Sequence, residues 1–275
     1  MSSVGGAAGE PATPPRWADE ALAAALREVR ARMAAALERA GRAADAVQLI
    51  AVTKTVPAER LLAAAALGLT TFGENRVQEA REKRERLAGL AVDDPQAALL
   101  LAGVRWELIG HLQTNKVARA LDLFARVQSV DSIRLAEALS GRAVALGRTA
   151  SILLEVNIGE EASKTGFAPG AETLEAARAI AALPGLRAEG LMTVAPMVER
   201  AEQTRPYFQR LCALRDQIRA EIGLDGPDGV EGVDGWRELS MGMSDDFEVA
   251  IEEGATSIRV GRGLFGARPT PHGQG

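Results

Sequence analysis

Short β-rich runs and helical stretches alternate along almost the whole chain, and this alternation restricts the fold more than any other feature. Strands are predicted at 47–54, 70–73, 105–110, 125–130, 151–158, 186–194, 238–242 and 257–261. Helices are predicted between them near 58–67, 75–87, 115–123, 132–146, 171–183, 204–222 and 245–253. Strands that alternate with helices form parallel βαβ units, and eight such strands in 275 residues favour a closed barrel over an open sheet. The predicted fold is therefore α/β, a single (β/α)8 TIM barrel.

The regions outside the alternation define the domain organisation. Residues 1–16 are mostly Gly, Ala, Pro and Ser without periodicity, which predicts a disordered extension. From Trp17 to about Ala40 apolar positions recur at helical spacing, so an extra N-terminal helix should precede the barrel. The remaining expected divisions are a barrel domain at 17–268, a flexible tail at 269–275, and surface insertions at 88–103 and 223–235.

The composition argues against several classes of function. A net charge of -5 and a pI near 5.3 disfavour a nucleic-acid-binding surface. One cysteine, Cys212, and two histidines, His111 and His272, provide neither a disulfide framework nor a Cys- or His-rich metal site. The chain has no apolar run that would span a membrane and no signal peptide. We therefore expect a cytoplasmic protein that binds neither metal, nucleic acid nor membrane.

Lysine is rare in this chain, which makes its positions informative. Only four of the 32 basic residues are Lys, at positions 54, 83, 116 and 164, and the other 28 are Arg. Lys83 lies in REKRER and is interpreted as part of a solvated helix face. Lys54 ends the first strand in phase with Ile50 and Val52, so its side chain should point into the barrel. A buried lysine must be paired or neutral, and its amine, unlike a guanidinium, can form a Schiff base.

Other polar residues also lie at predicted strand ends, where the reactive groups of such barrels gather. They are Asn75, His111, Asp131, Asn157, Thr193, Ser240 and Arg259. Taken singly, most have a structural interpretation as well. Asn75 or Ser132 could cap a helix, and Asp131 could be a turn residue. His111 could be an ordinary loop histidine. The structural interpretation is favoured for Asp131 and Ser132.

The segments around the last two strands predict a phosphate site. SMGMSDDFEVAIEEG is typical of a strand, a Gly-containing turn and a helix, with Asp245 as the N-cap and Glu248 completing a capping box. In SIRVGRGLFG three glycines spell G-x-G-x-x-G, but too few residues follow for the βαβ unit of a dinucleotide site. Loops after strands 7 and 8 commonly bind phosphate in such barrels, and glycine lets their amides approach it.

The lysine and the phosphate site should lie side by side, because strands 1 and 8 are neighbours in a closed barrel. A ligand with an aldehyde at one end and a phosphate at the other would bridge them, which describes pyridoxal 5'-phosphate (PLP). Seven motifs then indicate a family. They are AVTKTVP, FGENRVQE, WELIGHLQTNK, VNIGEEASKTGF, GLMTVAP, SMGMSDDFEVAI and SIRVGRGLFGAR. From about Val47 to Arg268 the chain resembles the pyridoxal phosphate homeostasis protein family, which is similar to the N-terminal barrel domain of alanine racemase.

This resemblance implies a fold-type III PLP-binding barrel. Lys54 matches the lysine that holds PLP as an internal aldimine. Arg259 matches the arginine facing the pyridine nitrogen, where a cation weakens the ring as an electron sink. The residues matched to phosphate and pocket contacts are Ser240, Asn75 and the backbone at Gly261 and Arg262. Many relatives carry a small hydroxyl residue in place of Arg262, so only an amide contact is expected there.

The resemblance also implies a function: a monomeric protein that binds PLP reversibly for its intracellular homeostasis, without strong turnover and so not an enzyme. PLP-dependent apo-enzymes are candidate recipients. The racemase relatives need a second domain and a tyrosine acid/base, whereas this chain ends just after strand 8 and its one tyrosine, Tyr207, lies in a predicted helix.

Two alternatives to this function stay open. One is a PLP-dependent amino-acid racemase or related enzyme, which would use Lys54 as base with His111 or a water opposite. The other is a cofactor-free Schiff-base lyase, which shares the barrel and the lysine but leaves Arg259 unexplained.

Overall fold

The eight predicted strands form one closed parallel barrel. A computed structural model describes residues 17–222 and 235–266. The strands are β1 Gln48–Val52, β2 Thr71–Glu74, β3 Arg105–Leu108, β4 Arg126–Val130, β5 Ala150–Glu155, β6 Leu186–Met192, β7 Glu238–Ser240 and β8 Ser257–Val260. They pair in chain order, and β8 closes the barrel by pairing with β1. The predicted (β/α)8 barrel is confirmed.

Helices follow each strand on the outside of the barrel. Within the described ranges they are α1 Glu20–Arg39, α2 Ala58–Ala66, α3 Val77–Ala91, α4 Pro95–Ala102, α5 Val117–Leu123, α6 Ile133–Ala145, α7 Ala171–Ala181, α8 Arg205–Ile222, α9 Phe247–Glu252 and α10 Arg262–Phe265. Helix α1 precedes the barrel, as predicted, and packs against α9 and α10. Its buried residues include Leu22, Leu26 and Val29, whose i, i+4, i+7 spacing gives it one apolar face. None of these helices is long and apolar enough to cross a membrane.

The predicted insertion at 88–103 is largely helical, which the sequence prediction missed. Helix α3 continues to Ala91, and α4 begins at Pro95. The side chain of Asp94 accepts a hydrogen bond from the backbone N–H of Ala97 at 3.0 Å. An Asp cap followed by Pro at the first helical position favours helix initiation. The predicted segments 1–16 and 269–275, and all but the last residue of 223–235, lie outside the described residues.

The interior of the barrel contains charged side chains as well as apolar ones. Register partners in parallel strands point to the same face of the sheet. Ile50 of β1 is the partner of Arg259 of β8, and Glu107 of β3 is the partner of Arg126 of β4. All four are buried. The interior therefore holds polar groups that can orient one another beneath the carboxyl ends of the strands.

Candidate functional site

Four of the predicted site residues lie at the carboxyl ends of neighbouring strands. Lys54 follows β1, Asn75 follows β2, and Arg259 and Gly261 lie in and just after β8. Because β1 pairs with both β2 and β8, the structure brings these residues together. Strand β1 is shorter than predicted, so Lys54 lies in the loop beyond its end, where the residue is half-buried.

The Asn75 side chain does not cap helix α3, and its backbone is instead packed against the loop after β3. Helix α3 has Arg76 as its N-cap and no side-chain cap, so the interpretation of Asn75 as a helix cap is wrong. Gly110, after β3, packs directly against Asn75. A Cβ atom on Gly110 would lie 2.6 Å from the carbonyl oxygen of Asn75, so only glycine allows this approach. The loop after β3 thereby fixes the half-buried Asn75 beside the carboxyl end of β1.

Lys83 is not on a solvated helix face, which corrects the sequence interpretation. Its side chain is 9% exposed. The ammonium reaches the residue that precedes Lys54 and donates to the carbonyl oxygen of Thr53 at 2.6 Å. It also donates to the carboxylates of Glu74 and Glu79, each at 2.7 Å. The REKRER pattern is typical of an exposed helix, but the turn of α3 that carries Lys83 faces the ends of β1 and β2. Burial raises the pKa of Glu74, while the hydrogen bond from Lys83 opposes this shift.

Arg259 lies inside the barrel at the end of a chain of hydrogen bonds. Its guanidinium donates to the hydroxyl of Ser240 and to the carbonyl oxygen of Thr193, both at 2.6 Å. The Ser240 hydroxyl in turn donates to Gln128 at 2.6 Å, and the Gln128 amide donates to Glu107. Burial lowers the pKa of Arg259 to about 10, so the group remains a cation at neutral pH.

The loops after β7 and β8 meet at a short helix start. Gly261 precedes α10, and the backbone N–H of Gly263 donates to the hydroxyl of Ser244 at 3.2 Å. The first N–H groups of a helix have no partner within it, so the amide at Arg262 is suited to an anion, whereas the amide of Gly263 already donates to Ser244. The Arg262 side chain is instead exposed and pairs with Asp245. Ser244, which the sequence prediction omitted, is therefore the serine whose hydroxyl lies at the start of α10. The hydroxyl of Ser240 instead bonds to Arg259 and Gln128 inside the barrel.

The helix after β7 starts later than predicted. It begins at Phe247, and Asp246, not Asp245, precedes it. The Asp246 carboxylate accepts a hydrogen bond from the backbone N–H of Met243 at 2.6 Å, which closes the turn without capping the helix. Gly242 has φ +88°, and a Cβ there would lie 2.5 Å from the Ala250 Cβ. The predicted capping box is wrong because the carboxylates that would form it pair elsewhere, Asp245 with Arg262 and Glu248 with Arg32.

A second polar group lies after β3, β4 and β5. His111 Nδ1 is 2.7 Å from an Asp131 carboxylate oxygen, and the carboxylate is almost buried while the imidazole is exposed. Burial raises the pKa of Glu155, and the charge of Asp131 raises it further. Ser132 caps α6, as its structural interpretation predicted. His111 and Asp131 form a pair, which their separate structural interpretations did not foresee.

The remaining sequence candidates lie on elements other than β1 and β8. Tyr207 is on α8, packed against the apolar core. Lys116 is exposed, and Lys164 pairs with Glu161 at 2.5 Å while approaching the carbonyl oxygen of Ala195 at 3.4 Å. In the described ranges no group of three His, Cys, Asp or Glu residues is placed to hold a metal ion.

Together, the fold and the site define a barrel of the alanine racemase N-terminal domain class, and the family model of that description matches residues 25–269. Within this class, the chain belongs to the pyridoxal phosphate homeostasis protein family. A relative of that name from Aquifex aeolicus is 40% identical over 88% of this chain and 96% of its own length. The relative of the same name from Pseudomonas aeruginosa is 41% identical over 90% of this chain and 96% of its own length.

A solved structure gives the same assignment. PipY from Synechococcus elongatus, solved with PLP bound, is 33% identical to this chain with a TM-score of 0.72. The match covers 89% of this chain and all of PipY.

Proposed function

We propose that this protein binds PLP reversibly and takes part in the homeostasis of its cellular supply, with Lys54 as the residue that forms the covalent bond. The observation behind this proposal is the pairing of β1 with β8. It places Lys54, which follows β1, at the end of the strand next to Arg259 of β8 and to α10, which begins directly after β8. The PLP-bound PipY structure and the names of the relatives support it.

The residues present fit the chemical groups of PLP. The hydroxyl of Ser244, which accepts from Gly263 and keeps its own proton to donate, and the amide at Arg262 can donate to a phosphate, and we assign the phosphate to them in place of the Ser240 hydroxyl. Gly261 leaves room for this loop, since a Cβ there would lie 3.3 Å from the Val52 Cβ. When bound, PLP supplies an aldehyde that condenses with a lysine amine and a ring that withdraws electrons.

The position and charge of Arg259 favour a protein that binds the cofactor over an enzyme that uses it for rapid catalysis. Its guanidinium is fixed by Ser240 and Thr193 and stays positively charged at neutral pH. A fixed cation opposite the pyridine nitrogen disfavours protonation of that nitrogen. The bound ring then withdraws electrons less strongly, so we propose a non-catalytic role. We also propose that the protein acts as a cytoplasmic monomer and that PLP-dependent apo-enzymes receive the cofactor from it.

The test is an absorption spectrum of the purified protein with and without added PLP. We expect a yellow chromophore that borohydride fixes on Lys54, located by peptide mass spectrometry. Lys54→Ala should abolish the fixed adduct, whereas Lys116→Ala, a matched change at an exposed lysine near the same end of the barrel, should leave it intact. A colourless protein that takes up no added PLP would refute the proposal.

The pair of His111 and Asp131 favours a second candidate function, a PLP-dependent amino-acid racemase. The Asp131 carboxylate orients the imidazole, as an acid/base residue requires. Chiral analysis after incubation with amino acids distinguishes the two functions. Racemisation that is lost in both Lys54→Ala and His111→Gln would favour the racemase over the homeostasis protein.

A further inference from the structure

Two charged side chains of α3 hold the two peptide groups that flank Lys54. The ammonium of Lys83 donates to the carbonyl oxygen of Thr53 at 2.6 Å, in the peptide group that precedes Lys54. The carboxylate of Glu79 accepts from the backbone N–H of Thr55 at 2.6 Å, in the peptide group that follows it. The Cα atom of Lys54 therefore lies between two peptide planes that are each fixed from the same helix.

These contacts belong to a connected set of hydrogen bonds that converges on one carboxylate oxygen of Glu74. Lys83 also donates to Glu74 and Glu79, so its three N–H groups have three acceptors. The hydroxyl of Thr53 donates to the same Glu74 oxygen at 2.6 Å. The side chains of Lys83 and Glu74 are 9% and 0% exposed. Buried charges that are paired and hydrogen-bonded in this way hold their neighbours in one geometry.

The backbone at Thr55 needs such support. Its φ is +65°, a left-handed conformation that is unfavourable for a β-branched residue. The hydrogen bond to Glu79 stabilises this conformation, and it directs the chain away from β1 immediately after Lys54. Strained backbone of this kind persists only where surrounding contacts determine it.

We infer that Lys83 and Glu79 form a clamp that positions Lys54 for its bond to the cofactor. Neither residue needs to touch PLP: by fixing both adjacent peptide groups, they set the direction in which the Lys54 side chain leaves the backbone. An amine held in position reacts more favourably than one that samples many positions. This inference rests on the proposed function, because it takes Lys54 as the residue of attachment.

The first test measures covalent attachment of PLP in variants of the full chain. Lys83→Met removes the ammonium that holds the Thr53 carbonyl and keeps an apolar side chain. Arg86→Met is the control, because Arg86 lies on the same helix and pairs with the exposed Glu59. We expect the equilibrium constant for the Lys54–PLP bond to fall roughly tenfold in Lys83→Met, the scale of one charge-assisted hydrogen bond, and to stay unchanged in Arg86→Met.

Thr55→Gly separates positioning from stability. Glycine relieves the left-handed conformation, so the melting temperature should stay the same or rise, while the looser backbone should still weaken the Lys54–PLP bond several-fold. A merely structural role would lower both quantities together. Unchanged attachment in Lys83→Met and in Thr55→Gly would overturn the inference.

Amide hydrogen exchange of the cofactor-free protein provides a readout that does not depend on PLP. We expect the N–H of Thr55 to exchange roughly tenfold faster in Glu79→Ala than in the wild type, with Glu79→Gln, which keeps an acceptor oxygen, in between. Equal rates in all three would refute the clamp even if PLP binds. If the wild type fails to bind PLP, the proposed function is wrong, and the exchange rates still decide whether the clamp exists.

Discussion

At the scale of single residues, the hydroxyl of Ser240 illustrates how buried neighbours decide what a side chain can do. It accepts a hydrogen bond from Arg259 and donates its own proton to Gln128, with no exposed surface. A hydroxyl has one proton to donate, so this group has none left for a phosphate. Ser244, four positions further along, contacts the N–H of Gly263 at the start of α10.

The two serines should therefore respond differently to removal of the hydroxyl. Ser244→Ala should weaken binding of PLP and of inorganic phosphate about tenfold, the effect of one hydrogen bond to a charged group. Ser240→Ala should lower the free energy of unfolding by about 1–3 kcal/mol, because a buried amide oxygen and a guanidinium N–H lose their partner. Calorimetric titration and urea unfolding measure the two effects. A larger loss of phosphate affinity in Ser240→Ala would contradict the assignment.

The lysines show what a single sequence can and cannot predict about a site. The direction of the Lys54 side chain into the barrel stays a prediction, but the place of Lys54 at the carboxyl end of β1 was predictable from the strand pattern. Lys83 was not, because its neighbours in α3 are charged and its burial comes from the ends of β1 and β2, which are distant in sequence. The pattern of charged residues along a helix indicates how exposed the helix is as a whole. It does not show that a single turn is buried against the end of a strand.

At the scale of elements, the existence of strands followed from the sequence more reliably than their ends. All eight predicted strands are present, but β1, β3, β6 and β7 each stop two residues early and β5 stops three residues early. Barrel strands end where the backbone leaves the shared hydrogen-bond ladder, which depends on the neighbouring strand and not on local propensity. Helix α4 was missed although DPQ is a recognisable start, since the long connection was interpreted from its length alone.

The cap of α4 gives a prediction for this element. Asp94→Ala removes the acceptor for the N–H of Ala97 and should lower the free energy of unfolding by about 1 kcal/mol. Asp94→Asn, which retains a capping oxygen, should recover most of the loss. Chemical unfolding measures both variants. PLP affinity should be unchanged, and a reduced affinity would mean that α4 is coupled to the site.

Arg205 links α8 to the end of α9. It contacts the carboxylates of Glu252, at 2.7 Å, and Glu253. The hydrogen bond from Arg205 is the main reason that the pKa of Glu252 lies below its ordinary value of 4.5. A lowered carboxylate pKa stabilises the folded protein above the ordinary value, and this contribution disappears as the pH falls through the lowered pKa.

Arg205→Met should therefore destabilise the protein by about 1–3 kcal/mol at pH 7, and the difference from the wild type should shrink below pH 4.5. Arg210→Met is the control on the same helix, because Arg210 and its partner Glu160 are both exposed, and it should cost less than about 1 kcal/mol. Unfolding curves at several pH values provide the measurement. A constant difference down to pH 3 would argue against the pKa shift of Glu252.

At the scale of the whole molecule, the barrel is organised around charge in its interior. Arg126 lies 2.9 Å from Glu189, 3.5 Å from Glu238 and 3.9 Å from Glu107. Glu107 is also linked to Arg259 by a chain of three hydrogen bonds. In this chain Arg259 donates to Ser240, Ser240 donates to Gln128, and Gln128 donates to Glu107. The alternation of strands and helices predicted the closed barrel. It did not predict this network, which depends on the register between strands.

Removal of Arg126 should have a large effect on stability. Arg126→Met removes the buried cation beside the carboxylates of Glu107 and Glu189, which keep the exposed Arg105 and Arg187 as partners, and should cost about 3 kcal/mol. Arg148→Met, at an exposed pair with Asp122, should stay within about 1 kcal/mol of the wild type. Urea unfolding compares the two variants. Similar midpoints would show that water or rearrangement compensates for the lost charge.

The closure of the barrel by β1 and β8 also has a consequence for biosynthesis. Lys54 leaves the ribosome early, whereas Arg259 lies in the strand that is translated last among the eight and Gly261 lies directly after it. A nascent chain that has not yet reached Ser257 carries the lysine but lacks the interior cation Arg259 and the start of α10, where we propose that the phosphate binds. We therefore expect stable capture of the proposed cofactor to follow the synthesis of β8, so the bound chromophore would mark chains in which the barrel has closed.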